Sequence, residues 1–237
     1  MEDKAFYRGA WMQSQIQKVS VQFWVSDRGP YALLALLVFT LFILAPLLSA
    51  RMVAPVVLEI AFSLILISGA FIVSSRLSIR LITAAVGILS VFLRLLGTSV
   101  TGKMIVAVDS LVSVGMLSCF AFLMAWHFLG RDRAAGQRIA GAVTIYLLLG
   151  LIWSRLYQLV ELVYPGSFRI QEGEVLNAAS LSYFSFVTLA TLGYGDIAPT
   201  HIIARDLAIL EAITGQLYLV ILISSLVSER SSTANMP

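Results

Sequence analysis

Hydrophobic positions in this chain neither alternate nor gather on one helical face; they run on in long blocks. Apolar stretches with few charges recur at roughly 30–50, 53–74, 79–97, 104–129, 138–164 and 204–228. A helix needs about 20 consecutive apolar residues to cross the hydrocarbon of a bilayer. The pattern therefore predicts an all-α integral membrane protein with six transmembrane helices. The third stretch is short and carries Arg80 and Arg94 near its ends, where long basic side chains reach the interface. Ahead of the first stretch, Phe6, Tyr7, Trp11, Ile16, Phe23 and Trp24 mix with Lys4, Arg8 and Lys18, which predicts an interfacial segment over 1–29. The polar, small-residue run "GRDRAAGQR" (Gly130 to Arg138) is the clearest boundary. It separates a four-helix domain, 30–137, from a second domain, 138–230, which is followed by a tail, 231–237.

The pattern breaks between the fifth and sixth stretches, at "FSFVTLATLGYGDIAP" (Phe184 to Pro199). Ala178 to Ala190 has helical length but is too short to span. Polar "EGEVLN" precedes it, and "TLGYGD" follows it and cannot continue an ordinary helix. Irregular backbone at membrane depth is tolerated only where it is buried in protein or lines a watery path. The chain is therefore expected to enter as a half-helix, turn, and leave by the same face, as a re-entrant pore loop. A dehydrated alkali cation needs rings of oxygen in place of its water. Carbonyls of Thr191, Leu192, Gly193 and Tyr194 would supply stacked rings, and the Thr191 hydroxyl a further one. Successive carbonyls point one way only if the backbone alternates through conformations that L-residues avoid; Gly193 and Gly195 permit these. Tyr194 would then point outward into a cuff of protein, and the negative end of the half-helix dipole would favour a cation.

At these residues the chain resembles the potassium channel family, whose filter motif reads TVGYG. Here it is Thr191-Leu192-Gly193-Tyr194-Gly195, followed by Asp196. Leu192 stands where Val is commoner; either would offer only its backbone carbonyl. The resemblance covers about 138–230: an outer helix, a pore helix, the filter, and an inner helix "LEAITGQLYLVILISSLV". Pro199 and Arg205 also fall where many members have them. It implies a homotetramer in a lipid bilayer, with one pore loop per chain, K+ as the permeant ion bound at Thr191 to Gly195, and no cofactor. Gly215 falls at the family's inner-helix hinge position. Its alternative role is close packing on the pore helix. Gln216 near the top, with Leu219 and Ile223 below Gly215, would line the cavity. In that family the outer and inner helices of one subunit touch. Arg155 and Glu211, at similar depths, are therefore expected to pair behind the filter, with Tyr183 or Ser185 as further partners and Asp196 as part of the motif; the alternative is that Glu211 bonds only to the pore helix while Arg155 reaches outward. The first four spans take the place of a voltage sensor, yet the fourth, Met104 to Leu129, holds no Lys or Arg.

Composition sharpens the class. The chain of 237 residues is 59% apolar and 12% charged, about half the charge of a soluble domain. A net charge of +3, spread along the chain, indicates no nucleic-acid patch. The single cysteine, Cys119, is expected to be a small buried hydrophobe. Ten basic residues fall on one side of the expected spans (Lys4 through Arg230) and five on the other. By the positive-inside rule both termini are cytoplasmic in the cell membrane, and 165–203 faces outward. No cleaved signal peptide is expected ahead of the first span, and no cytosolic ligand-binding domain is expected after Pro237. No HExxH, Gly-x-Ser-x-Gly or P-loop occurs, so an enzyme is not expected.

Other charged residues have weaker readings. Glu161, Glu172 and Glu174 are expected to make the mouth acidic, as a solvated rim or as a means of concentrating cations. His201 is expected to be solvated and without a specific role, and His127 to be interfacial. Arg94 is expected between Glu59 and Asp109, each costly alone in lipid. The rival functions are a nonselective cation pore, favoured by loss of Thr191 or Tyr194, and a non-conducting scaffold or regulatory subunit with a vestigial pore, favoured by loss of the filter glycines. All four residues are present.

Overall fold

The computed structural model describes residues 29–40, 103–128, 135–171 and 175–234. In chain order these form α1 (Gly29–Phe39), α2 (Lys103–Phe128), α3 (Ala135–Val163), β1 (Phe168–Ile170), α4 (Ala178–Leu189), β2 (Ile197–Pro199) and α5 (Ile202–Ala234). Three of these helices hold segments long and apolar enough to cross a membrane: Val106–Trp126, Gly136–Val163 and Ile202–Ser225. They correspond to the fourth, fifth and sixth expected spans. α1 covers part of the first; the second and third spans and the segment 1–28 lie outside the described residues. α5 runs past the expected end at 228 to Ala234, into the expected tail. Loss of apolar character marks the edge of the bilayer, whereas a helix ends only where its backbone bonding does.

α4 has 12 residues, about 18 Å of helix at 1.5 Å per residue, against about 30 Å of hydrocarbon. It begins at Asn177, whose side-chain oxygen accepts from the backbone N–H groups of Ala179 (2.8 Å) and Ser180 (2.9 Å). That is an N-cap, and it explains why the helix starts directly after the polar run. β1 and β2 pair antiparallel, with Phe168 opposite Pro199 and Ile170 opposite Ile197. This closes the α3–α4 connection against the stretch leading into α5.

Two apolar clusters hold the elements. One joins α1, α2 and α3 through Leu37, Leu117, Phe120, Met124, Leu148 and Leu151. The other gathers Tyr157 of α3, Phe168 of β1, Leu181 and Phe184 of α4, Ile197 of β2 and Ala204 of α5. Within it the rings of Tyr157, Phe168 and Phe184 meet edge to face, with centroids 5.0 to 5.5 Å apart. Such aromatic pairs add about 0.5–1.5 kcal/mol beyond area burial. α5 buries only a narrow stripe, including Ala204, Glu211 and Gly215, and leaves Ile209, Leu210, Ile213, Leu217, Val220 and Ile221 exposed. Cys119 is exposed on α2 rather than buried. An apolar run marks a span without saying which of its faces meets a neighbour.

Candidate functional site

The stretch after α4 is organised by how that helix ends. Thr191 N–H donates to the Thr188 carbonyl (2.9 Å) and Leu192 N–H to the Val187 carbonyl (2.9 Å). With Ala190 as C-cap and Thr191 at φ +57°, this is a Schellman ending. The left-handed position usually belongs to glycine; here a β-branched threonine occupies it. Thr191 is the only non-glycine at positive φ among the described residues. Such a conformation costs on the order of 1–3 kcal/mol and persists where the surroundings over-determine it.

Gly193 and Gly195 follow at φ +58° and +81°. The left-handed conformations expected of the two glycines are present, and Thr191 extends the alternation one step earlier. Residues 190–195 are exposed in the single chain. The side chains of Leu192 and Tyr194 stand out from it, 56% and 66% exposed, so no cuff forms around them among the described residues.

Hydrogen bonds pin both flanks. Tyr183 of α4 donates its hydroxyl proton to Asp196 Oδ2 (2.7 Å), and the Ile197 N–H donates to Oδ1 (2.9 Å). Tyr183 thus serves Asp196, not the buried residues behind α4 with which it was expected to pair. At the far side of the β1–β2 pair, Thr200 donates to the Gly166 carbonyl (2.8 Å) and Arg205 Nε to the Pro199 carbonyl (3.2 Å). Glu161 is not a free mouth charge: its two oxygens accept from the backbone N–H groups of Gly166 (2.7 Å) and Ser167 (3.0 Å). Glu172 and Glu174 lie outside the described residues. His201 has a structural place: it stacks on Tyr164 with centroids 4.4 Å apart, and its carbonyl accepts the Arg205 N–H of the first turn of α5. Tyr183→Phe is expected to lower stability modestly, by about 1 kcal/mol, and, if this stretch lines an ion path, to reduce ion discrimination by loosening the residues after Gly195. Melting curves and flux ratios check both.

Behind α4 lies Glu211, fully buried. Tyr157 of α3 donates its hydroxyl proton to Oε2, and Ser185 Oγ of α4 lies 2.5 Å from Oε1. Ser185 Oγ is also 2.7 Å from the Gly150 carbonyl oxygen. The expected Arg155–Glu211 pair is not formed; Arg155 donates to Gln158 Oε1 (3.0 Å). Depth along α3 is similar for Arg155 and Tyr157, but two residues rotate a helix by about 200°, so when Tyr157 faces α5, Arg155 faces away. Tyr157 escaped the sequence reading. A polar stripe at Ser154, Tyr157, Gln158 and Glu161, spaced for one side of a span, was the available signal.

Gly215 sits directly against the backbone carbonyl of Leu189, in the last turn of α4. The same carbonyl accepts from the Tyr146 hydroxyl (3.2 Å). Tyr218, one turn below on α5, donates to the Ala142 carbonyl of α3 (2.7 Å). Gln216, Leu219 and Ile223 are exposed on the single chain. In the first domain Asp109 is buried on α2; Arg94, expected between it and Glu59, lies outside the described residues, as does Glu59.

Residues 141–229 match a family model described as "Ion channel". The match begins within α3 and ends within α5, so it takes in α4 and the stretch from Thr191 to Asp196. No curated protein and no solved structure matches the chain.

Proposed function

We propose that the chain forms a homotetrameric channel conducting K+ passively across a membrane, with both termini on the cytoplasmic side. The match to an ion-channel model supports passive conduction. The observation that carries selectivity is the alternation of left-handed backbone at Thr191, Gly193 and Gly195, directly after the C-terminus of a half-length apolar helix. A chain that flips conformation at every second residue aligns its carbonyls in one direction. In a fourfold ring the carbonyls of Thr191, Leu192, Gly193 and Tyr194 would form stacked oxygen cages, with Gly195 ending the row and the Thr191 hydroxyl adding a ring below. A strained threonine where glycine would be easier is accounted for if its hydroxyl is needed there. The apolar surface that α5 leaves exposed, and the exposed stretch 190–195, are what neighbouring copies and lipid would cover.

The test is reconstitution of the full chain in liposomes under a K+ gradient and, separately, a Na+ gradient. K+ flux well above Na+ flux is expected. Equal fluxes would indicate a nonselective pore, and absence of both a non-conducting membrane subunit. Gating by voltage is expected to be shallow. A charge crossing 100 mV gains about 2.3 kcal/mol, so steep gating needs several basic residues moving together. α2 carries only Lys103, at its first residue. A conductance–voltage slope equivalent to several charges per subunit would contradict this.

A further inference from the structure

Glu211 is the only acidic or basic side chain with no exposed surface among the described residues. The titratable side chains of α3 on its side are the phenols of Tyr157 and Tyr146 and, one turn above Tyr157, the carboxylate of Glu161, which accepts from the backbone N–H groups of Gly166 and Ser167. α4 has no acidic or basic residue. The nearest charged residues of its own helix, Arg205 and Asp206, are exposed, and Arg155 is engaged with Gln158. An isolated buried carboxylate in such surroundings is costly.

The hydrogen bonds can be counted in protons. Three oxygen–oxygen contacts run in series: Tyr157 to Glu211, Glu211 to Ser185, and Ser185 to the Gly150 carbonyl. Each contact needs one proton. The two hydroxyls bring one each, and a carbonyl brings none. If Ser185 gives its proton to Gly150, its oxygen faces Glu211 Oε1 with lone pairs only. If it gives the proton to Glu211, the Gly150 carbonyl loses its side-chain donor. The series is complete only when a third proton sits on Glu211.

We propose that Glu211 is a neutral carboxylic acid acting as a positioning residue: Tyr157 donates to Oε2, the proton on Oε1 is donated to Ser185 Oγ, and Ser185 donates to the Gly150 carbonyl. The relay fastens α5 to α4 and α4 to α3, directly behind the stretch that Tyr183 and Asp196 hold from the other end. Its members polarise one another in the same sense. Glu211 then sets the position of α4 and adds no negative charge near the ion path.

The inference goes beyond the channel reading and is tested without conduction. Isotope-edited infrared spectra of the full chain in bilayers at neutral pH should show the C=O stretch of a protonated carboxylic acid that is absent from Glu211→Gln. The carboxamide accepts from Tyr157 and donates to Ser185, so Glu211→Gln should melt as the unaltered protein does. Glu211→Ala should melt lower, as should Ser185→Ala. A spectrum without that band, or Glu211→Gln as unstable as Glu211→Ala or unable to fold, overturns the proposal. Failure of the unaltered chain to carry K+ would remove the channel reading and leave this result standing.

Discussion

Gly193→Ala and Gly195→Ala are each expected to abolish selective K+ flux while the oligomer still assembles. Space is not the reason: a Cβ built on either glycine meets no heavy atom within 4 Å among the described residues. Conformation is the reason. The residues sit at φ +58° and +81°, and an L-residue in the left-handed region is disfavoured by roughly 1–2 kcal/mol. In the proposed fourfold ring the cost would recur in every copy at one level, and flipping a peptide would relieve it by turning a carbonyl out of the row. Thr191 tolerates the same region because the Schellman bonds to Thr188 and Val187 hold it there; neither glycine has such a support. The clusters that hold the fold do not include them, so assembly should survive. Flux from liposomes and oligomer mass, measured together, check the claim. Selective flux in either variant would remove the filter assignment.

Gly215→Ala is expected to destabilise the protein and disturb the end of α4, and the sign of its effect separates two roles. If Gly215 served only to soften α5, alanine would strengthen the helix by about 1 kcal/mol. In the structure the added methyl group would collide with the Leu189 carbonyl oxygen, a backbone atom at the end of α4. Overpacking of this kind typically costs about 1–3 kcal/mol, and a carbonyl bonded to Tyr146 cannot swing aside as a side chain would. Gly150 provides the contrast. The three atoms nearest to a methyl there all belong to the ring of Phe186, the ε1 carbon first and the ζ carbon next at 2.7 Å, and a half-buried ring can turn where a backbone carbonyl cannot. The melting midpoint should therefore fall more for Gly215→Ala than for Gly150→Ala. A rise for Gly215→Ala would restore the hinge as its main role.

Asp196 and Glu211 show where reading the chain stops being enough. Both stand out in the sequence as candidate site residues, one from the motif and one from its depth in an apolar span. Their partners were not recognisable in the same way. Tyr183 and Ser185 are two residues apart on α4 and were interchangeable candidates; the fold sends one to Asp196 and the other to Glu211. Glu161 looked like a mouth charge until the turn at Gly166 brought two N–H groups onto it.

By itself the sequence determined what is local to the chain: which blocks can cross a bilayer, that 178–190 cannot, and that two glycines two apart allow a backbone other residues resist. These depend on hydrocarbon thickness, helical rise and the absence of a Cβ, and they need no knowledge of neighbours. Only the tertiary structure decided that Tyr157 rather than Arg155 meets Glu211, and that Gly215 admits the Leu189 carbonyl. Sequence gives a residue's depth along a helix. The direction in which its side chain faces matters only relative to the helix packed against it, and that is fixed when the helices dock.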